Sequence, residues 1–314
     1  MQANQIALIF PGQGSQAVGM GSNLVEAYPT ARQLFDRADE LLGFQLSAIA
    51  RYGPENELND TINTQPALYL HSIAALAVFR QFYPDIQPAY VAGHSMGELS
   101  ALAAAGALSF EDGLRLVRTR GELMKKAGEV SPGSMAAILG LDIPKLDQLC
   151  AQASSPGEIV QVANDNCPGQ VVISGASAAI QRAMALATQA GARRVIPLAV
   201  SIAAHSPLMA HSQEDFKRAV DAAPIQDPII PLVGNVTGTP LTSAHELRED
   251  LQAQLTSRVR WTESIQTMAS LGVTTFIEVG TGSVLSGLIK RIDRSLVTAS
   301  FGSPADFEQL AGII

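Results

Sequence analysis

The chain opens on a short unbroken apolar run, Ile6 to Phe10, stopped by Pro11-Gly12. A run too short for a helix and closed by two breakers predicts a buried first strand. Thr30 to Leu42 and Gln65 to Phe82 carry apolar positions at helical spacing. Ala89 to Gly93 predicts a second short strand, and the helical run Gly97 to Ala105 follows it at once. Ser109 and Asp112 make a capping signal for a helix that carries Leu114, Val117, Arg120 and Met124.

The pattern then changes. Gly128 to Gly133 (GEVSPG) reads as a linker. Beyond it come a strand (Met135 to Leu141), a helix (Ile143 to Ala153) and two strands (Ile159 to Asn164, Gln170 to Ser174). A helix (Ala178 to Ala190) and a strand (Arg193 to Val200) close the set. The order βαββαβ predicts a ferredoxin-like α+β unit. Alternation of helix and strand then resumes, with helices near 207–221, 244–256, 261–271 and 283–292 and strands near 229–233, 274–279 and 296–300. The fold class is therefore α/β: a large parallel-sheet domain over 1–128 and 202–314, interrupted by a small domain over 129–201.

Composition narrows the partners. The 314 residues are 47% hydrophobic and 16% charged, with a net charge of −8. That suits a compact globular enzyme and favours neither nucleic acid nor an anionic membrane. Basic pairs such as Lys125-Lys126, Arg193-Arg194 and Lys290-Arg291 read as solvated surface charge. Cys150 and Cys167 form neither a CxxC spacing nor a disulfide framework. The N-terminus lacks a basic leader, and no apolar stretch reaches the ~18 residues of a membrane span. A cytoplasmic location is expected.

The candidate chemistry centres on Gly93-His94-Ser95-Met96-Gly97, a G-x-S-x-G run between a strand and a helix. A sharp strand-to-helix turn lifts the serine hydroxyl above the sheet and aims the helix's first N–H groups at a reacting carbonyl. Serine needs a base. Of five histidines, His94 adjoins the serine and points elsewhere, His71 lies in an apolar helix, and His245 sits at a polar helix start. His205 and His211 remain, with His205 in a loop where the two domains join. No carboxylate stands out as a third member, so a backbone carbonyl is the alternative orienting group.

Gly12-Gln13-Gly14-Ser15-Gln16-Ala17 follows the first strand and formally matches a dinucleotide fingerprint. That reading requires a strand ending in an acid about twenty residues on, where Arg32 to Glu40 is helical and polar. The other reading makes Gln13 and Met96 backbone oxyanion donors. Arg120 shares one helix face with Val117, Gly121 and Met124, so it points inward. A buried guanidinium is either paired within the protein or a fork for a substrate carboxylate.

Together these residues resemble the malonyl-CoA:acyl carrier protein transacylases and the acyltransferase domains of fatty-acid and polyketide synthases. The resemblance also runs through Thr64-Gln65-Pro66-Ala67-Leu68, Met135 to Ile138, Pro168 to Gly175, Ser201 to His205 and Ile277 to Gly280. It implies a hydrolase-like large domain with the ferredoxin-like insert. It implies Ser95 as nucleophile, His205 as base, Arg120 on the malonyl carboxylate, Gln13 and Met96 at the oxyanion, and Gln65 lining the site. It further implies that the main-chain carbonyl of Gln254 steadies the histidine.

The implied reaction is ping-pong transfer of malonyl from malonyl-CoA, through a Ser95 ester, to the phosphopantetheine thiol of an acyl carrier protein. No tightly bound cofactor or metal is implied, the carrier is a transient partner, and the enzyme is expected to be a monomer. Met96 and Ala204 depart from many relatives, and the small Ala204 implies room for an α-substituted malonyl unit of polyketide synthesis. Thr281 and Ser283 replace a proline and a lysine, leaving Lys290 and Arg291 as the basic carrier contact. The alternative activity is a thioester hydrolase that edits carrier-bound acyl groups.

Overall fold

Residues 5–313 are described here by a computed structural model. In chain order its strands are β1 (Gln5–Phe10), β2 (Tyr90–Gly93), β3 (Gly133–Leu139), β4 (Val160–Cys167), β5 (Gln170–Ala176), β6 (Arg194–Pro197), β7 (Leu232–Val233), β8 (Pro240–Leu241), β9 (Val273–Val279) and β10 (Val297–Phe301). One sheet runs β10-β9-β1-β2-β7-β8, and every pairing in it is parallel except β7 with β8. The other runs β4-β5-β3-β6 and is antiparallel throughout. With its two helices, Ile143–Ala153 and Ser177–Gln189, this second sheet has the ferredoxin-like order.

β1 shows why its run has no polar interruption. Leu8 and Phe10 face a core built with helices Thr61–Phe82 and Phe110–Val130, while Ala7 and Ile9 face a second core around Trp261, Ile265 and Leu285. Alternate side chains of a strand point to opposite faces, so a parallel sheet covered on both sides needs apolar residues at every position. Each fully buried side chain of Leu or Phe size adds roughly 1.5–3 kcal/mol.

Helix Thr61–Phe82 is buried on nearly every side. Asp60 caps it by accepting the Ile62 N–H. Pro66 lies inside it and cannot donate to the Ile62 carbonyl, one turn back. Arg118 Nη1 donates to that carbonyl instead, at 2.8 Å. Gly121 lets the neighbouring helix close in, since a Cβ there would lie 2.9 Å from the Thr61 carbonyl oxygen.

Several expectations need correction. Gly128 to Val130 belongs to helix Phe110–Val130 rather than to a linker. Gly128 serves a close approach, because a Cβ there would stand 2.8 Å from Ile202 Cγ1. The strand expected near 229–233 shrinks to two residues, since the Ile229 and Ile230 N–H groups bond to the Ala105 carbonyl. Short helices at Ser22–Ala27, Leu46–Tyr52, Glu55–Leu58 and Phe307–Ala311 had no apolar stripe long enough to show in the sequence. No helix among the described residues is long and apolar enough to cross a membrane.

Candidate active site

Ser95 sits at the turn between β2 and helix Gly97–Ala104 with φ of +53°. Among the described residues only one other non-glycine residue has a positive φ, and it is His205, at +58°. Both therefore hold a costly backbone conformation that surrounding contacts must enforce. The two glycines of the elbow are sterically required. A Cβ on Gly93 would come within 2.0 Å of the Gly97 backbone, and one on Gly97 within 2.2 Å of the Phe10 carbonyl oxygen. Asn235 clamps the turn from below: its Oδ1 accepts the Ser95 N–H and its Nδ2 donates to the Gly93 carbonyl, both at 2.7 Å.

His205 Nε2 lies 2.7 Å from Ser95 Oγ. His205 Nδ1 lies 2.9 Å from the Gln254 main-chain carbonyl, which can only accept. That contact puts the proton on Nδ1 and leaves Nε2 free to accept the serine proton. Burial first, then the Arg120 charge, pull the imidazole down from 6.5 to about 3. It is therefore neutral at neutral pH. The loop is tightened by Ser206 Oγ, which donates to the Ala203 carbonyl, and by Gln161 Nε2, which donates to the His205 carbonyl.

Arg120 is 1% exposed, and burial draws its guanidinium down to about 10, so it stays charged. Its hydrogen-bond partners are neutral. Nη1 donates to Gln65 Oε1 at 2.8 Å and meets Met124 Sδ at 3.2 Å. Nη2 donates to Gln254 Oε1 at 2.8 Å and to Ser95 Oγ at 3.1 Å. Each terminal nitrogen thus spends one hydrogen on a glutamine and turns the other toward a weak sulfur acceptor or the serine.

Ser95, Arg120, His205, Gln13, Met96 and Met124 line a cavity of about 210 Å³, and Ala204 joins them. Its roof comes from the face of the antiparallel sheet not covered by helices, through Met135 and Val172, with Leu198 and Val200 beyond. The Met96 and Gln13 N–H groups enter no hydrogen bond among the described residues, as oxyanion donors require. A larger polar hollow of about 660 Å³ opens past the end of β9 and beside β10. It contains His71, whose ring nitrogens are engaged by Thr281 Oγ1 and the Gly302 carbonyl rather than by a serine.

A serine, a neutral histidine and unspent N–H groups at one strand-to-helix turn are the parts of an acyl-transfer site. The family model described as "Acyl transferase domain" matches residues 7–306. The chain belongs to the acyl transferase family. It is 47% identical over 305 residues to the malonyl CoA-acyl carrier protein transacylase of Bacillus subtilis, covering 97% of this chain and 96% of that one. The Escherichia coli K12 protein of the same name is 43% identical over 303 residues, covering 96% and 97%. An acyl carrier protein S-malonyltransferase from Vibrio cholerae superposes with a TM-score of 0.94 at 41% identity, covering 98% and 99%. A malonyl-transacylase solved with a type II polyketide acyl-carrier protein gives 0.93 at 40%, covering 97% and 98%.

On this acyl transferase chain the structure gathers Ser95, His205, Arg120, Gln13, Met96 and Ala204 about one cavity. Gln65 is fully buried behind the cavity wall and reaches the site through Arg120, and through Thr61 Oγ1 and Met124 Sδ, which its Nε2 meets. His211 is on the exposed side of helix Ala210–Ala222, away from the serine. His94, expected to point elsewhere, lines the same cavity, with its Nε2 held 2.8 Å from Asn166 Oδ1 and its ring meeting that of Trp261 edge-on, so it is not paired with Ser95. Asn235 carried no motif and escaped the sequence reading. Met124 was visible one helical turn beyond Arg120, but only as part of an apolar stripe.

Proposed function

We propose that the chain transfers a malonyl group from malonyl-CoA to the phosphopantetheine thiol of an acyl carrier protein, through an ester on Ser95. The observation that carries this reading is the buried, charged Arg120, held by two glutamines, with no carboxylate in contact among the described residues and 3.1 Å from the Ser95 hydroxyl. A charged fork on the acyl side of a serine nucleophile suits an acyl group that ends in a carboxylate.

In the first half-reaction Ser95 Oγ attacks the thioester carbonyl and its proton passes to His205 Nε2. The tetrahedral oxyanion is held by the N–H groups of Met96 and Gln13, each worth about 3 kcal/mol by comparison with other acyl-transfer sites. Collapse expels the CoA thiolate, which takes the proton from His205, and leaves malonyl on Ser95. In the second half the carrier's thiol gives its proton to His205 and attacks the ester; Ser95 leaves and recovers the proton. Arg120 holds the malonyl carboxylate in both. This chemistry calls for no redox or metal cofactor.

Residues 129–201 serve as the small domain that roofs the cavity, and 1–128 with 202–314 as the large one. The chain acts as a cytoplasmic monomer that takes its two substrates in turn. The acidic carrier docks beside Arg291, which shares a surface hollow with Arg193 and Arg294. Lys290, whose Nζ donates to the Leu296 carbonyl, stands next to it.

The test is to load the protein with malonyl-CoA, map the ester to the peptide containing Ser95, and then discharge it to a carrier thiol. Ser95→Ala is expected to block both steps. An ester elsewhere would refute the reading. So would free malonate released, without any acceptor, as fast as transfer proceeds, which is the behaviour of a hydrolase.

A further inference from the structure

Glu98 lies in the first turn of the helix behind the nucleophile and is 1% exposed. It does not line the cavity. Gln254 Nε2 donates to its Oε2 and the Asn235 N–H donates to Oε1 at 3.4 Å, while the Asp250 carboxyl lies within side-chain hydrogen-bond reach. Burial, with Asp250 close by, holds this carboxyl well above the usual carboxylate range.

The Gln254 amide has two unlike ends, and its neighbours decide which way it faces. A guanidinium can only donate, so the end toward Arg120 must be Oε1. Nε2 then faces Glu98, whose Oε2 accepts from it, and its second hydrogen goes to the Ser95 carbonyl at 3.1 Å. The amide thereby stands between Glu98 and Arg120. A direct Glu98–Arg120 ion pair would occupy the fork that a substrate carboxylate needs. With the amide interposed, Arg120 is gripped from the protein side by neutral oxygens, and its cavity-side hydrogens stay available.

We propose that Glu98 is a positioning residue that fixes the direction of the Gln254 amide and so keeps the Arg120 fork open to carboxylated acyl groups. This rests on the malonyl-transfer reading above.

The experiment compares malonyl-CoA and acetyl-CoA as donors to a carrier protein in the full chain. Glu98→Met removes both acceptor oxygens at similar length. It is expected to lower the malonyl-over-acetyl ratio of kcat/KM by about tenfold, through KM for malonyl-CoA, because the fork acts alike in ground and transition states. Glu98→Gln restores an acceptor and is expected to recover most of that ratio. In an Arg120→Ala background neither change should move the ratio. Equal losses with both donors, or an unchanged ratio in folded Glu98→Met, would overturn the proposal. Should Glu98→Met fail to fold, Gln254→Glu replaces it, putting an acceptor against Glu98 and a carboxylate on Arg120; retained malonyl preference there would also overturn it. A wild-type chain with no malonyl preference would sink the parent reading instead, so the two failures are distinct.

Discussion

Replacing Arg120 by alanine separates a substrate fork from a structural arginine. The side chain offers one cavity-side N–H on each terminal nitrogen, now directed at Met124 Sδ and Ser95 Oγ. A malonyl carboxylate would take both. Hydrogen bonds to a charged group contribute about 1.5–3 kcal/mol each, so the pair amounts to roughly 3–6 kcal/mol. That is a loss on the order of a hundred- to ten-thousand-fold in malonyl kcat/KM. Acetyl-CoA has no carboxylate to lose. Its loss should be the smaller one, since it can lose only the single contact to Ser95 Oγ, about 1.5–3 kcal/mol. Arg120→Lys keeps the charge but not the planar fork, so its malonyl loss should be intermediate. Because Arg120→Ala also strands Gln65 Oε1 and Gln254 Oε1 in the interior, it should lower thermal stability whatever the substrate. The diagnostic quantity is therefore the donor ratio at a temperature where the variant is folded. Initial rates of transfer to a carrier protein measure it. Equal falls with both donors would make Arg120 a structural residue, and the substrate would then be sought among uncharged acyl groups.

Asn235→Ala removes two 2.7 Å bonds from the elbow; at about 1–3 kcal/mol per stranded group it should slow both donors at least about tenfold and lower the Tm, and an unchanged acetyl rate would contradict the clamp. For pH, the sign follows from His205 acting as a base that must be neutral: its lowering to about 3 keeps it competent throughout the acid range where an ordinary histidine would charge. Acylation by acetyl-CoA, which has no ionisable acyl group, should show an acid limb well below 6.5 in kcat/KM, rising in Arg120→Ala, where one cause of the depression is removed; a wild-type limb at the ordinary value would refute it. The small Ala204 beside the cavity should let methylmalonyl-CoA acylate at no less than about 1% of the malonyl rate, with Ala204→Phe reducing the substituted donor more; a lower wild-type rate would show the cavity closed to the extra methyl.

What could be read from the sequence follows how local each cause is. The Ser95 turn shows because its glycines are forced by contacts within five residues and against β1. The α/β alternation shows because a sheet covered on both faces demands unbroken apolar runs. His205 was harder to separate from His211. Its pairing spans 110 positions, and its distinguishing mark, a left-handed backbone, leaves no trace at a non-glycine residue. Gln65 and Gln254 came only through family resemblance, since a glutamine whose two ends face different partners looks like any other in a helix. Gly128 misled because a glycine chosen for a close helix–loop crossing has the same letter as one in a linker.

The absence of an acid behind His205 makes sense as electrostatics. A carboxylate there would steady the imidazole but would also set a negative charge close to the position where the substrate's own carboxylate must be held. The Gln254 carbonyl fixes the same tautomer without that charge. The side chain of the same residue accepts from Arg120 as a neutral oxygen, so one glutamine would serve the proposed base with its backbone and the proposed fork with its amide. Among the described residues no carboxylate contacts the guanidinium, and its field favours a neutral His205 and would favour an anionic acyl group. On the proposed mechanism a malonyl carboxylate at Arg120 would cancel part of that field and make His205 a stronger base as the ester forms. A chain built to prefer uncharged acyl groups would gain nothing from that coupling, and for this reason the pH limb of the malonyl reaction should lie above that of the acetyl reaction in kcat, where the bound state is reported.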